Sequence, residues 1–144
     1  MRPNYHRRYT PWLVALLAMF VFRVVAQGLQ FLHPVAFLPP FAAWDSGTLP
    51  YGWLVVAQGI IIAGCGIVVT GFFRQTTRPN RRLGKWFLAI GAIYLFGMLA
   101  RLVAGFTIAA GNKWLDAPLP AFFHLVLASF LLIVGHFHFR WGDE

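Results

Sequence analysis

Residues 51–73 read YGWLVVAQGIIIAGCGIVVTGFF, a run with no charged side chain and a single amide, Gln58. At 1.5 Å rise per residue, a helix of this length covers a hydrocarbon core of ~30 Å. The strict alternation of a barrel strand is missing. A segment in lipid must satisfy its own backbone hydrogen bonds, so a helix is the form this run takes.

Working outward, three more runs share this character, at about 12 to 32, 87 to 110 and 120 to 139. The chain of 144 residues is 59% hydrophobic and 11% charged, whereas about a quarter of residues in soluble domains are charged. The expected fold is therefore an all-α membrane protein, a four-transmembrane-helix bundle forming one integral membrane domain over residues 1–144. Four spans leave room for short connections and no soluble domain. Arg7 and Arg8 before an apolar stretch imitate a cleavable signal peptide. That stretch is too long for one, however, and Arg23 interrupts it, so the first span is expected to be retained.

Cations fix the expected orientation. Arg2, Arg7 and Arg8 precede the first span, Arg74, Arg78, Arg81, Arg82 and Lys85 fill the second connection, and Arg140 follows the last span. The first and third connections hold Lys113, Asp45 and Asp116. Both termini are then cytoplasmic in a multi-pass protein of the cell (inner) membrane. The net charge of +8 follows from these flanking cations, so no nucleic-acid partner is implied. Five cations in the middle connection would also attract anionic lipid.

The two outer connections read alike. Trp44-Asp45 is followed by Leu49-Pro50, and Trp114-Leu115-Asp116 by Leu119-Pro120, each Pro opening the next span. This is the pattern of two tandem helical hairpins. The first connection, from His33 to Trp44, is apolar and proline-rich, so it is expected in the interface or over the bundle as a lid.

Polar residues inside the spans carry the functional reading. Arg23, Gln27 and Gln30 fall within ~60° of one helix face. Tyr94 and Arg101 share a face with Gly97 and Gly105, and the other two spans contribute Gln58 and His124. Counting from span centres puts Arg23 near the midplane, Arg101 ~4 Å outward and the remaining candidates higher in the outer half, Tyr94 excepted. An intramembrane arginine costs ~2.5 to 3.5 kcal/mol even on lenient scales, and no Asp or Glu lies in any span. Compensation comes from glutamines and backbone carbonyls, from Asp45 or Asp116 as counter-ions at the outer mouth, or from a ligand.

The expected ligand site thus comprises Arg23, Gln27, Gln30, Gln58, Tyr94, Arg101 and His124. It suits an anionic or carbonyl-bearing amphiphile such as a lipid headgroup, a carboxylate or a quinone, because guanidinium groups are forked donors. Two other readings stand beside it. In one the protein is an accessory or assembly subunit of a larger membrane complex, or a homo-oligomer, with its arginines serving packing. In the other it is a lipid-modifying enzyme using His124 with the arginines. Paired carboxylates and a cysteine–base pair are missing from the spans, so hydrolytic chemistry has no evident machinery. Cys65 is the single cysteine, which precludes an internal disulfide. The five histidines do not form the intramembrane pairs that hold haem, and neither a metal nor a cofactor is expected.

Overall fold

The computed structural model describes residues 4–45, 49–107 and 118–143. The described chain is helical: α1 (Tyr5–Leu32), α2 (Phe41–Trp44), α3 (Tyr51–Phe73), α4 (Arg81–Thr107) and α5 (Pro118–Trp141). All but α2 are long and apolar enough to cross a membrane. Two helices begin well before their apolar runs. Hydropathy marks the apolar slab, whereas helix ends are set by caps and tertiary contacts. α4 starts at Arg81 because the Asn80 side chain accepts the Leu83 N–H at 3.1 Å, as an N-cap does. α1 starts at Tyr5 and runs through Pro11. Its first turns are held from outside, with Tyr5 on the Trp141 ring at 4.4 Å and His6 Nε2 donating to Thr77 O at 2.9 Å.

The backbones of the long helices neighbour one another in the order α3, α1, α5, α4, with no close backbone approach of α3 to α4 among the described residues. The route of the chain explains this order. Residues 74–80, which can reach ~23 Å when extended, pass beneath the ends of α1 and α5. His6 holds this crossing at Thr77, and His138 Nδ1 accepts the Asn80 N–H at 3.1 Å. Both described chain ends and the α3–α4 connection therefore lie at one end of the bundle, and α2 lies at the other. Gln75 takes a positive φ of 59° where the chain leaves α3.

Glycine sets the α4–α5 contact. A Cβ on Gly84 would lie 2.3 Å from Phe139 N, one on Gly135 2.8 Å from Leu88 N, and one on Gly91 3.0 Å from the Leu132 side chain. Missing side chains let the two backbones approach closely. These pairs keep one antiparallel register, which continued upward sets Arg101 opposite Phe122. Between α1, α3 and α5, Leu13, Phe72, Phe130, Val134 and Phe137 form the main apolar core. A second cluster, Ala26, Trp44, Phe123 and Val126, lies toward α2.

The connection after α1 folds back as a lid. α2 touches both α1 and α5, and Trp44 is buried between them, stacked on Phe123 at 6.1 Å. A proline-rich segment has few internal hydrogen bonds, so other groups must satisfy its carbonyls. Gln30 does most of this. Its Nε2 donates to Pro39 O at 2.7 Å, Leu38 O at 3.2 Å and Val35 O at 3.3 Å, while its Oε1 accepts the Val35 N–H at 2.5 Å.

Candidate functional site

Arg23 is the centre of the polar cluster. It is buried on α1 and 7% exposed. Its Nη2 donates to Trp44 O at 3.3 Å, and its guanidinium lies 5.7 Å from the centroid of Phe123, within cation–π range. Tyr94 of α4, Asp45 beside α2 and Tyr51 of α3 lie close enough to feel its charge. Groups on or beside every other helix therefore surround one cation on α1, below the lid.

Arg101 is buried on α4 and interacts with Tyr94. The charges of both arginines reach His124, whose Nδ1 pairs with the Tyr94 hydroxyl. The register sharpens the arrangement expected from sequence. Tyr5 meets Trp141, Tyr9 meets Phe137, and Arg23 meets Phe123, a constant step along two antiparallel helices. Arg101, opposite Phe122, is then level with Arg23 instead of ~4 Å outward of it. The two cations flank α5 at one height, about five residues or ~7.5 Å from its start.

Gln27 and Gln58 join α1 to α3, Gln58 Nε2 donating to Gln27 Oε1 at 3.2 Å. Gln27 is fully buried and Gln58 nearly so. One bond leaves half of each amide unmatched. Among the described residues Gln27 Nε2, Gln58 Oε1 and Arg23 Nε are buried without a hydrogen-bond partner. Two donors and one acceptor are thus clustered where burial of an unpaired polar group costs ~1 to 3 kcal/mol each.

Six of the seven sequence candidates (Arg23, Gln27, Gln58, Tyr94, Arg101 and His124) come together. The seventh, Gln30, is also buried, but its amide is occupied by the lid backbone. Asp45 stands near enough to act on Arg23. Asp116 lies outside the described residues. Gly105 is buried, whereas Gly97 faces open space. Sequence reasoning missed Tyr51, the Phe123 ring and the Trp44 carbonyl. Tyr51 and Phe123 lie in apolar runs and Trp44 ends the proline-rich connection, and none carries a charge that would mark it. Only the folded-back lid gives them a second role.

Comparison with known proteins adds no constraint. No family model, curated protein or solved structure matches this chain. The functional reading therefore stands on the geometry of its own residues. Chemically, these residues can donate forked hydrogen bonds from two guanidinium groups, accept a hydrogen bond at Gln58 Oε1, and relay a proton between Tyr94 and His124. No group of three or more metal-ligating side chains occurs among the described residues.

Proposed function

We propose that the four apolar helices cross a membrane, with the chain ends and residues 74–80 on the cytoplasmic side. The polar cluster under the lid then binds an anionic or carbonyl-bearing amphiphile: a lipid headgroup, a carboxylate or a quinone. The membrane placement is supported by the outward faces. Ile60, Ile67, Ile93 and Phe106 are each about two-thirds exposed or more, and apolar surface of this extent calls for an apolar solvent or a partner. Arg7, Arg8, Arg74, Arg78, Arg82, Lys85 and Arg140 lie exposed at the end holding the chain termini, as the positive-inside rule requires of a cytoplasmic end.

One observation carries the ligand reading: among the described residues Arg23 Nε, Gln27 Nε2 and Gln58 Oε1 are buried without a partner, with Arg23 and Gln27 one turn apart on α1 and Gln27 bonded to Gln58. A carboxylate, phosphate or quinone oxygen satisfies the two donors, and a hydroxyl on the same ligand satisfies Gln58. The charge favours an anion, because Arg23 and Arg101 are level and the long helices contain no acid. Native mass spectrometry of detergent-purified protein tests this reading. Wild type should retain a lipid or quinone, and Arg23→Ala should weaken retention ~10- to 100-fold, the worth of a hydrogen bond to a charged group. Arg101→Ala should weaken it as well. Failure of wild type to retain any such molecule, or retention by both variants equal to that of wild type, refutes the reading.

A second reading, an accessory subunit packed in a larger assembly, is favoured by α3. Gly52, Gly59 and Gly66 recur every seven residues, and a Cβ on any of them would meet nothing within 4 Å. Small residues on an open helix face suit close helix packing. A stoichiometric partner co-purifying in mild detergent, lost on Gly59→Leu, supports this reading; a monodisperse single chain opposes it.

A further inference from the structure

At the end opposite the lid, α1 and α5 line an open cavity of ≈ 570 Å³ that the Arg23 cluster does not use. Its lining is graded along the helix axis. Nearest the chain ends are Arg140 and Trp141, within about one turn of them Arg8, Tyr9 and His136, and deeper still Leu132, Ile133 and Trp12. From Arg140 to Ile133 this gradient spans ~10 Å.

The mouth holds donors. Arginine has five N–H groups and no acceptor, and an indole donates only. Trp141 Nε1 is buried without an acceptor among the described residues, while its ring lies 5.2 Å from the Arg140 guanidinium. Tyr9 and His136 bond to each other across the cavity at 2.9 Å, tying its two walls together. No Asp or Glu is among the lining residues. A mouth of this kind calls for an acceptor-rich anion. The apolar floor separates two sources of that anion: inorganic phosphate has nothing to place against Leu132 and Ile133, whereas a phospholipid has an acyl chain.

We propose that this cavity is a binding site for an anionic phospholipid, its phosphate held between Arg8 and Arg140 and its acyl chain running along Leu132 and Ile133. The inference rests on the membrane placement proposed above and not on the Arg23 site. Trp12, which is 67% exposed, closes the outer wall at the depth of the glycerol ester linkages, where indole rings settle. The site would hold a lipid of the cytoplasmic leaflet, which is rich in anionic headgroups.

The test titrates full-length protein in mixed detergent micelles with dioleoyl phosphatidylglycerol, dioleoyl phosphatidylcholine or inorganic phosphate, read by native mass spectrometry. Phosphatidylglycerol should bind at least tenfold better than phosphatidylcholine, and inorganic phosphate at millimolar concentration should not displace it. Arg8→Gln/Arg140→Gln should weaken phosphatidylglycerol ~30-fold, from about fivefold per basic residue. Trp141→Phe, which keeps the ring and removes the donor, should weaken it several-fold. Arg74→Gln/Arg78→Gln, equal in charge and outside the cavity, should change binding less than threefold. Equal losses in the two double variants would mean charge alone, and ready displacement by phosphate would mean an ion site without the lipid. Either result overturns the proposal.

Discussion

Replacing Gln30 with leucine should release the lid without unfolding the bundle. The Gln30 amide has two N–H groups for three carbonyls, at 2.7, 3.2 and 3.3 Å, and its oxygen accepts one N–H at 2.5 Å. Counting the shared donor once gives three effective hydrogen bonds. At ~1 kcal/mol net each, their loss shifts the lid equilibrium by about 3 kcal/mol, or roughly 150-fold in the open fraction. Pro39 O keeps the Trp44 Nε1 donor at 2.9 Å and Val35 O the Leu38 N–H at 3.4 Å, so Leu38 O alone of the three carbonyls loses its donor outright. Hydrogen exchange read by mass spectrometry in detergent measures this directly. Protection across residues 35–44, where Ala43 N donates to Pro40 O at 2.9 Å, should fall by about two orders of magnitude. Residues 51–73 should exchange as in wild type. A change below threefold in residues 35–44, or an equal change in both segments, would refute the view that Gln30 anchors the lid.

Other perturbations separate the remaining contacts. Gly84→Ala drives a methyl to within 2.3 Å of Phe139 N, so it should destabilise the α4–α5 pair by about 1 to 3 kcal/mol. Gly97→Ala on the same helix meets open space and should be neutral or slightly stabilising; equal thermal shifts for the two would contradict the register. A double-mutant cycle of Gln27→Leu and Gln58→Leu should return a coupling of about 0.6 kcal/mol, rarely above ~1.7, as for other interhelical bonds in apolar surroundings. Zero coupling by chemical denaturation would mean that the 3.2 Å bond between them contributes nothing.

The architecture was largely legible because the residues that decide it are plain. Hydropathy found four apolar runs where α1, α3, α4 and α5 stand. It could not find that α1 and α4 begin seven and six residues earlier, since those turns are basic and polar and are held by Asn80, Thr77 and Trp141. The lid was legible as a segment, through its prolines and lack of charge, but not as a partner of Arg23. That contact depends on Gln30, whose stripe position made it look like a ligand group. Helix order was not legible either. A symmetrical bundle and an open row share one hydropathy profile, and only the passage of residues 74–80 beneath α1 and α5 selects the row. The likeness of the outer connections could not be followed, because residues 108–117 lie outside the described part of the chain. The cluster itself emerged from one physical rule, that polar groups in apolar helices gather on a shared face. The cavity at the other end did not, because Arg8 and Arg140 read as orientation signals and nothing in the sequence places Trp12 and His136 beside them.

The central claim is that Arg23 faces a bound molecule, and an experimental density map of the wild-type protein in its native lipids tests it most directly. The account predicts a non-protein oxygen at hydrogen-bond distance, ~2.7 to 3.2 Å, from Arg23 Nε and within reach of Gln27 Nε2, continuous with density for an amphiphile. An Arg23 Nε bonded instead to a carboxylate of Asp45 or Asp116, or to water alone, would contradict it.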